Sequence, residues 1–145
     1  MKINIKKLTE KATLPTYASE FAAGCDLYAC LDKEEAIKPG ETMLIKTGLA
    51  IELPIGYAAF IYARSGLASK RGLAPANKVG VIDCDYRGEI MVALHNHSSE
   101  AQTILPNERI AQMVIAPYIT ADFNLVDELS STERGQGGFG STGRN

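Results

Sequence analysis

Apolar residues recur along this chain in short alternating or continuous runs, not at helical spacing. Ile3 and Ile5 alternate with polar neighbours, and further strand-like runs fall at 26–29, 43–47, 49–53, 57–63, 102–105 and 110–116. Turn-forming stretches separate them, among them Lys38-Pro39-Gly40-Glu41, Leu53-Pro54-Ile55-Gly56 and Leu105-Pro106-Asn107-Glu108. Many short strands punctuated by Pro and Gly predict an all-β sandwich, jelly roll or barrel. The pattern centres on 79–94, where apolar arms at 79–82 and 90–94 flank a polar middle at 83–89 that ends its turn at Gly88. This predicts a β-hairpin whose tip carries Asp83, Asp85, Tyr86 and Arg87. A carboxylate where a strand enters its turn can be held firmly yet stay open to water, which a general base requires. Read alone, Asp83 and Asp85 are equally well turn formers.

One stretch breaks the β pattern. Between Arg64 and Gly72, Ser65 is placed to N-cap a helix of about two turns, and Gly72 falls just past its end. Lys70 and Arg71 occupy the last turn, where cations suit the helix dipole and need no ligand to explain them. Arg64 with Ser65-Gly66 at the other end forms a small candidate anion site of guanidinium, hydroxyl and N–H groups. From about Asp127 the composition changes. A domain over 1–127 gives way to a glycine-rich tail over 128–145, with Phe139 alone among glycines and the hydroxyls of Ser141 and Thr142. Gly-Phe-Gly-Ser-Thr-Gly is similar to a phosphate-cradling loop, but no Lys or helix follows, which excludes a Walker A loop. Ordering each such residue costs about 1–2 kcal/mol, and glycine most, so the tail is expected to be flexible and to close only over a ligand. A base stacked on Phe139 would return about 1–3 kcal/mol.

Length and charge narrow the field. At 145 residues the chain makes one domain with a real core, and 46% hydrophobic with 22% charged residues is an ordinary soluble composition. A net charge of −2 gives no broad attraction to nucleic acid or to an anionic membrane, so a phosphate-bearing ligand must be small and locally held. The N-terminus lacks the apolar region of a secretory signal, and the longest apolar stretch, 57–63, is too short to span a bilayer. Cys25, Cys30 and Cys84 are an odd set without metal-ligand spacing, and read as reduced thiols of a cytoplasmic protein. His95 and His97 read as surface histidines, since no other Cys or His lies near enough in sequence to complete a metal site.

Five segments remain. They are Ala23-Gly24-Cys25-Asp26-Leu27-Tyr28-Ala29, Ala63-Arg64-Ser65-Gly66-Leu67-Ala68, Gly80 through Gly88, Glu108-Arg109-Ile110-Ala111-Gln112-Met113, and Arg134 through Gly143. In this order and spacing they closely resemble the five motifs of homotrimeric dUTP diphosphatases, the dUTPases. The resemblance implies a distorted jelly-roll (β-clip) fold with one short helix. It implies a homotrimer with active sites at subunit interfaces, the tail of one subunit covering a site. The implied reaction is hydrolysis of dUTP to dUMP and pyrophosphate with Mg²⁺, which keeps uracil out of DNA and supplies dUMP for thymidylate synthesis. By the same resemblance Asp83 is the base that activates water for attack at the α-phosphorus, and Tyr86 packs on the deoxyribose and excludes a 2′-hydroxyl. Val81, Ile82 and Met91 line the uracil pocket, with Asn77 contacting the base. Arg64, Ser65, Gly66 and Gln112 meet the phosphates, and Asp26 reaches Mg²⁺ through water. In the tail, Arg134 reaches the triphosphate, Phe139 stacks on uracil beside Gly140, and Ser141 and Thr142 meet the γ-phosphate.

Two other readings compete. A dCTP deaminase shares this fold, but that family places a proton-shuttling glutamate in the third motif, where this chain has Asp83 and Tyr86 in the dUTPase pattern. Glu89 is the nearest glutamate and opens the outgoing strand. A non-catalytic nucleotide-binding protein on the same scaffold would be expected to lack Asp83 or the tail, and this chain has both.

Overall fold

The computed structural model describes residues 1–138 and turns nearly every apolar run into a strand. In chain order the elements are β1 (Asn4–Lys7), β2 (Thr16–Tyr17), β3 (Cys25–Tyr28), β4 (Glu35–Ile37), β5 (Thr42–Lys46), β6 (Leu49–Glu52) and β7 (Tyr57–Tyr62). They continue with α1 (Ser65–Arg71), β8 (Leu73–Pro75), β9 (Gly80–Ile82), β10 (Met91–Asn96), β11 (Gln102–Ile104) and β12 (Arg109–Pro117). Strands β2, β4 and β8, of two or three residues, are too short to show an alternation and exist through their partners. The largest sheet has the order β2-β3-β12-β7-β9; a second has β5-β10-β8, and β1-β6 and β11-β4 form pairs. The expected all-β, jelly-roll-like architecture is what forms.

Period-two burial positions the core. Along β10, Val92, Leu94 and Asn96 are buried while Met91 faces out. Leu27, Ile37, Ile45, Leu94, Ile104 and Ile110 are each at most 1% exposed and meet in one cluster, each contributing about 1.5–3 kcal/mol of transfer free energy. The buried Asn96 side chain donates to the carbonyls of Ile37 (2.8 Å) and Glu100 (2.7 Å) and accepts from Ser98, so its polarity is compensated.

The predicted hairpin at 79–94 does not form as a paired ladder. Strand β10 pairs with β5 on one side and β8 on the other, so both its edges are taken. Strand β9 pairs instead with β7, as the edge of the five-stranded sheet. The arms therefore diverge into different sheets, and a cleft opens between them. A second expectation is also corrected. Ser65 is not the N-cap but the first helical residue; Arg64 holds the cap position in extended conformation with no side-chain cap bond. Its carbonyl accepts the first helical hydrogen bond, from Ala68 N–H at 2.9 Å. The far end is as expected: Gly72 takes the left-handed conformation at φ 65°. Arg71 is structural, tying the last turn to Gln102 (3.0 Å), Glu108 and the Thr103 carbonyl.

After Pro117 the chain runs on to residue 138 without strand or helix. Ile119, Phe123, Leu125 and Leu129 along it are 89–98% exposed. Among the described residues, no helix is long and apolar enough to cross a membrane.

Candidate active site

The first group of predicted site residues is gathered by register. Asp26 on β3, Gln112 on β12 and Tyr62 on β7 are direct partners across three adjacent strands, so their side chains share one face of the sheet. Two residues beyond Tyr62, Arg64 bends back and its Nε donates to Asp26 Oδ1 at 2.7 Å. The other oxygen, Oδ2, accepts from Arg109 Nη1 at 3.3 Å. Asp26 is only 7% exposed, and the two guanidiniums offset the cost of burying its charge. Gln112 donates to the Ala63 carbonyl at 2.8 Å, which fixes the link between β7 and α1. Gly24 admits this side chain: a Cβ there would come within 2.8 Å of Gln112 Oε1. Asp26, Arg64, Ser65, Gly66 and Gln112 thus line one cleft of about 450 Å³.

Arg109 was given no role by sequence reasoning, although it lies within the fourth segment. It is three residues from Gln112, so strict alternation puts the two on opposite faces. A bulge between Arg109 and Ala111 changes that, because Arg109 pairs with Tyr28 while Gln112 pairs with Asp26. The extra residue returns Arg109 to the face of Asp26. Only the register carries that signal.

The second group lines the cleft between the diverging arms. Asn77, Val81, Ile82, Asp83, Tyr86 and Met91 all border a space of about 250 Å³, together with Leu44, Ile61, Pro75 and Glu89. Strand β9 has a ladder partner on one side only, and its open edge borders this space. Asp83 is exposed at the end of that edge. The loop after it is braced internally: Tyr86 N–H donates to the Asp83 carbonyl at 3.2 Å, and Arg87 donates to the carbonyls of Cys84 (2.7 Å) and Tyr86 (3.0 Å). Tyr86 lies back over Gly88, where a side chain would collide with its phenol, and donates its hydroxyl to the Glu89 carbonyl at 3.0 Å. The Glu89 carboxylate, which a deaminase reading would need, accepts from Gly48 N–H at 2.8 Å. Cys84, for which the sequence suggested no role, lies 3.5 Å from the Tyr118 hydroxyl at the root of the C-terminal stretch. This contact holds the Tyr118 phenol above its usual range.

These clefts are separate: among the described residues none lines both. Of the tail residues, Arg134 bonds locally, donating from Nε to the Gly137 carbonyl at 2.8 Å. Phe139, Gly140, Ser141 and Thr142 lie outside the described residues. Among the described residues no three His, Cys, Asp or Glu side chains group as a metal cage. Asp26 keeps both oxygens on arginines, yet each oxygen has a second lone pair, so it fits contact with a metal-bound water and not direct ligation.

Comparison with known proteins bears on the same residues. The dUTPase family model matches residues 10–143. A deoxyuridine 5'-triphosphate nucleotidohydrolase of Nautilia profundicola is 56% identical over 144 residues, covering 99% of this chain and 100% of the relative. A solved Staphylococcus bacteriophage 80alpha dUTPase mutant with dUpNHpp superposes with a TM-score of 0.89 at 28% identity, covering 98% of each chain. A mutant dUTPase from phage phi11 of S. aureus, described with a structural Mg(II) ion, superposes at a TM-score of 0.78 and 25% identity, covering 88% of this chain and 98% of its own. All five segments lie inside the matched range and the fold superposes along nearly its whole length, so this chain belongs to the dUTPase family.

Proposed function

We propose that the chain hydrolyses dUTP to dUMP and pyrophosphate, keeping uracil out of DNA and supplying dUMP for thymidylate synthesis. The observation that carries the reading is the gathering of Asn77, Val81, Ile82, Asp83, Tyr86 and Met91 around one cleft at an open strand edge. Backbone donors and acceptors along that edge can pair with the uracil edge, as a neighbouring strand would. Tyr86 packs on the deoxyribose and leaves no room for a 2′-hydroxyl. Asp83 takes a proton from water. The water oxygen bonds to the α-phosphorus, the bond from that phosphorus to the bridging oxygen breaks, and the electron pair leaves with pyrophosphate. A positioned base of this kind contributes about 10²–10⁴ in rate.

The triphosphate belongs in the other cleft, with Arg64, Ser65, Gly66 and Gln112. The separation of the clefts supports binding of one substrate by two copies, within the homotrimer with sites between subunits that the family resemblance implies. The exposed apolar side chains at Ile119, Phe123, Leu125 and Leu129 support this, as surface a neighbouring copy would cover. Arg134, Phe139, Gly140, Ser141 and Thr142 close over the bound nucleotide. Mg²⁺, when bound to the triphosphate, neutralises phosphate charge, and Asp26 meets its hydration shell. The free thiols of Cys25, Cys30 and Cys84 suit a reducing cytoplasm.

The test is pyrophosphate release with Mg²⁺ from dUTP, dTTP, dCTP and UTP in parallel. Release from dUTP alone, lowered at least about 10²-fold by Asp83→Asn, is expected. Equal release from UTP would remove the Tyr86 role, and no release from any nucleotide would leave a binding protein.

A further inference from the structure

We infer that Glu89 is a positioning residue that sets the pose of Tyr86 and thereby the discrimination between deoxyribose and ribose. The inference rests on the proposed role of Tyr86 as the sugar filter. Three hydrogen bonds carry it. The Tyr86 hydroxyl donates to the Glu89 carbonyl at 3.0 Å, and Tyr86 N–H donates to the Asp83 carbonyl at 3.2 Å. The Glu89 side chain leaves the loop altogether and accepts from Gly48 N–H at 2.8 Å, in a partly buried contact.

Gly48 is a rigid anchor. It sits at φ 68°, a conformation that favours glycine, and a Cβ there would lie 2.8–2.9 Å from Ala12, Cys30 and Thr9. The turn that carries it also grips the residue after Glu89. The fully buried Thr47 donates its hydroxyl to the Ile90 carbonyl at 2.6 Å, and Ile90 N–H donates to the Leu49 carbonyl at 2.8 Å. Downstream of Glu89 the backbone is therefore fixed without any side chain of the loop. Upstream, the loop is mostly exposed, and the Glu89 carboxylate is the side-chain contact that brings its end onto the β5–β6 turn. The Glu89 carbonyl shares its peptide plane with the held Ile90 N–H and stays in place. Without the carboxylate contact the chain turns about the Glu89 Cα–C bond, so the loop that carries Tyr86 shifts against that carbonyl and the ring loses its fixed pose.

The carboxylate acts by reach, not by charge. Glu89→Gln keeps an oxygen at the same distance from Gly48 N–H, whereas Glu89→Asp keeps the charge but is one methylene too short. The experiment measures kcat/KM for dUTP and UTP on the full chain with Mg²⁺, beside a thermal scan of each variant. Glu89→Ala and Glu89→Asp are expected to lower the dUTP/UTP ratio about tenfold, the equivalent of one hydrogen bond, chiefly through better use of UTP. Glu89→Gln is expected to keep the wild-type ratio. Should the alanine variant not fold, the aspartate variant carries the comparison. An unchanged ratio in Glu89→Asp, or an equal fall in Glu89→Gln, overturns the inference. Tyr86→Ala separates the two levels: if it leaves the ratio unchanged, the sugar-filter reading itself fails, and if it alone lowers the ratio, only the role of Glu89 fails.

Discussion

Ile61 and Tyr62 are neighbours on β7, yet they line different clefts: Ile61 borders the one with Asp83, and Tyr62 the one with Arg64 and Gln112. Successive strand residues point to opposite faces, so the sheet itself stands between the two. Asp26 and Gln112 lie in the row of Tyr62, while Ile82 and Gly80 pair with Ala59 and Ile61 on the core-facing side. On the proposed reading the sugar meets Tyr86 in one cleft and the phosphates meet Arg64 in the other, and this separation supports the proposal of a site shared between copies.

Asp26 is held by Arg64 and Arg109 in a partly buried cluster, and removing the carboxylate leaves two guanidiniums facing each other. Asp26→Ala is expected to lower stability by about 1–3 kcal/mol, discounted because Arg109 is half exposed. It should also release Arg64 from its aimed position. Denaturant unfolding checks the first effect and kcat/KM for dUTP the second. A variant as stable and as active as the parent would show that the cluster does neither job.

Gly24→Ala addresses the same cleft without touching charge. The added Cβ meets the far end of the Gln112 side chain, which can swing away, so the fold should lose under about 1 kcal/mol. Gln112 then leaves the Ala63 carbonyl, and a raised KM for dUTP with near-normal unfolding is the expected outcome. An unchanged KM would mean that Gln112 does not meet the substrate.

His97 gives the pH dependence a definite sign. Its ring centroid lies 4.4 Å from that of His95. Desolvation, helped by His95 and Lys78, holds its value below the ordinary 6.5. The folded state therefore disfavours the protonated form. The stability this contributes is present above the unfolded value and is lost as pH falls through the lower folded one. Between about pH 7.5 and about pH 5.5 the parent should lose more thermal stability than His97→Gln does. Parallel slopes for the two proteins would contradict it.

Much of this was legible in the sequence, for a physical reason. Alternation and Pro/Gly turns report directly on strands, so the longer strands fall where the pattern puts them. The hairpin was misread because alternation says which face of a strand is buried and not which strand pairs with it. Val79–Leu94 looks local, but β10 had already been claimed on both edges by β5 and β8. Ser65 was misplaced by one residue because capping preference cannot see that Arg64 is still extended. Arg109 was missed because a bulge changes parity without leaving a composition signal. The resemblance gives Asp26 only a contact to Mg²⁺ through water, and its burial between two arginines appears only when three strands are aligned.

The most direct test of the account mixes two defective proteins. Asp83→Asn spoils one cleft and Arg64→Gln the other, and each alone should release little pyrophosphate from dUTP. Unfolded together in equal amounts and refolded, they should recover roughly a quarter of the parent rate, because random association gives some sites an intact Asp83 from one copy and an intact Arg64 from another. A mixture no more active than the sum of its two components would mean that each copy works with its own two clefts, and the shared site would have to be abandoned.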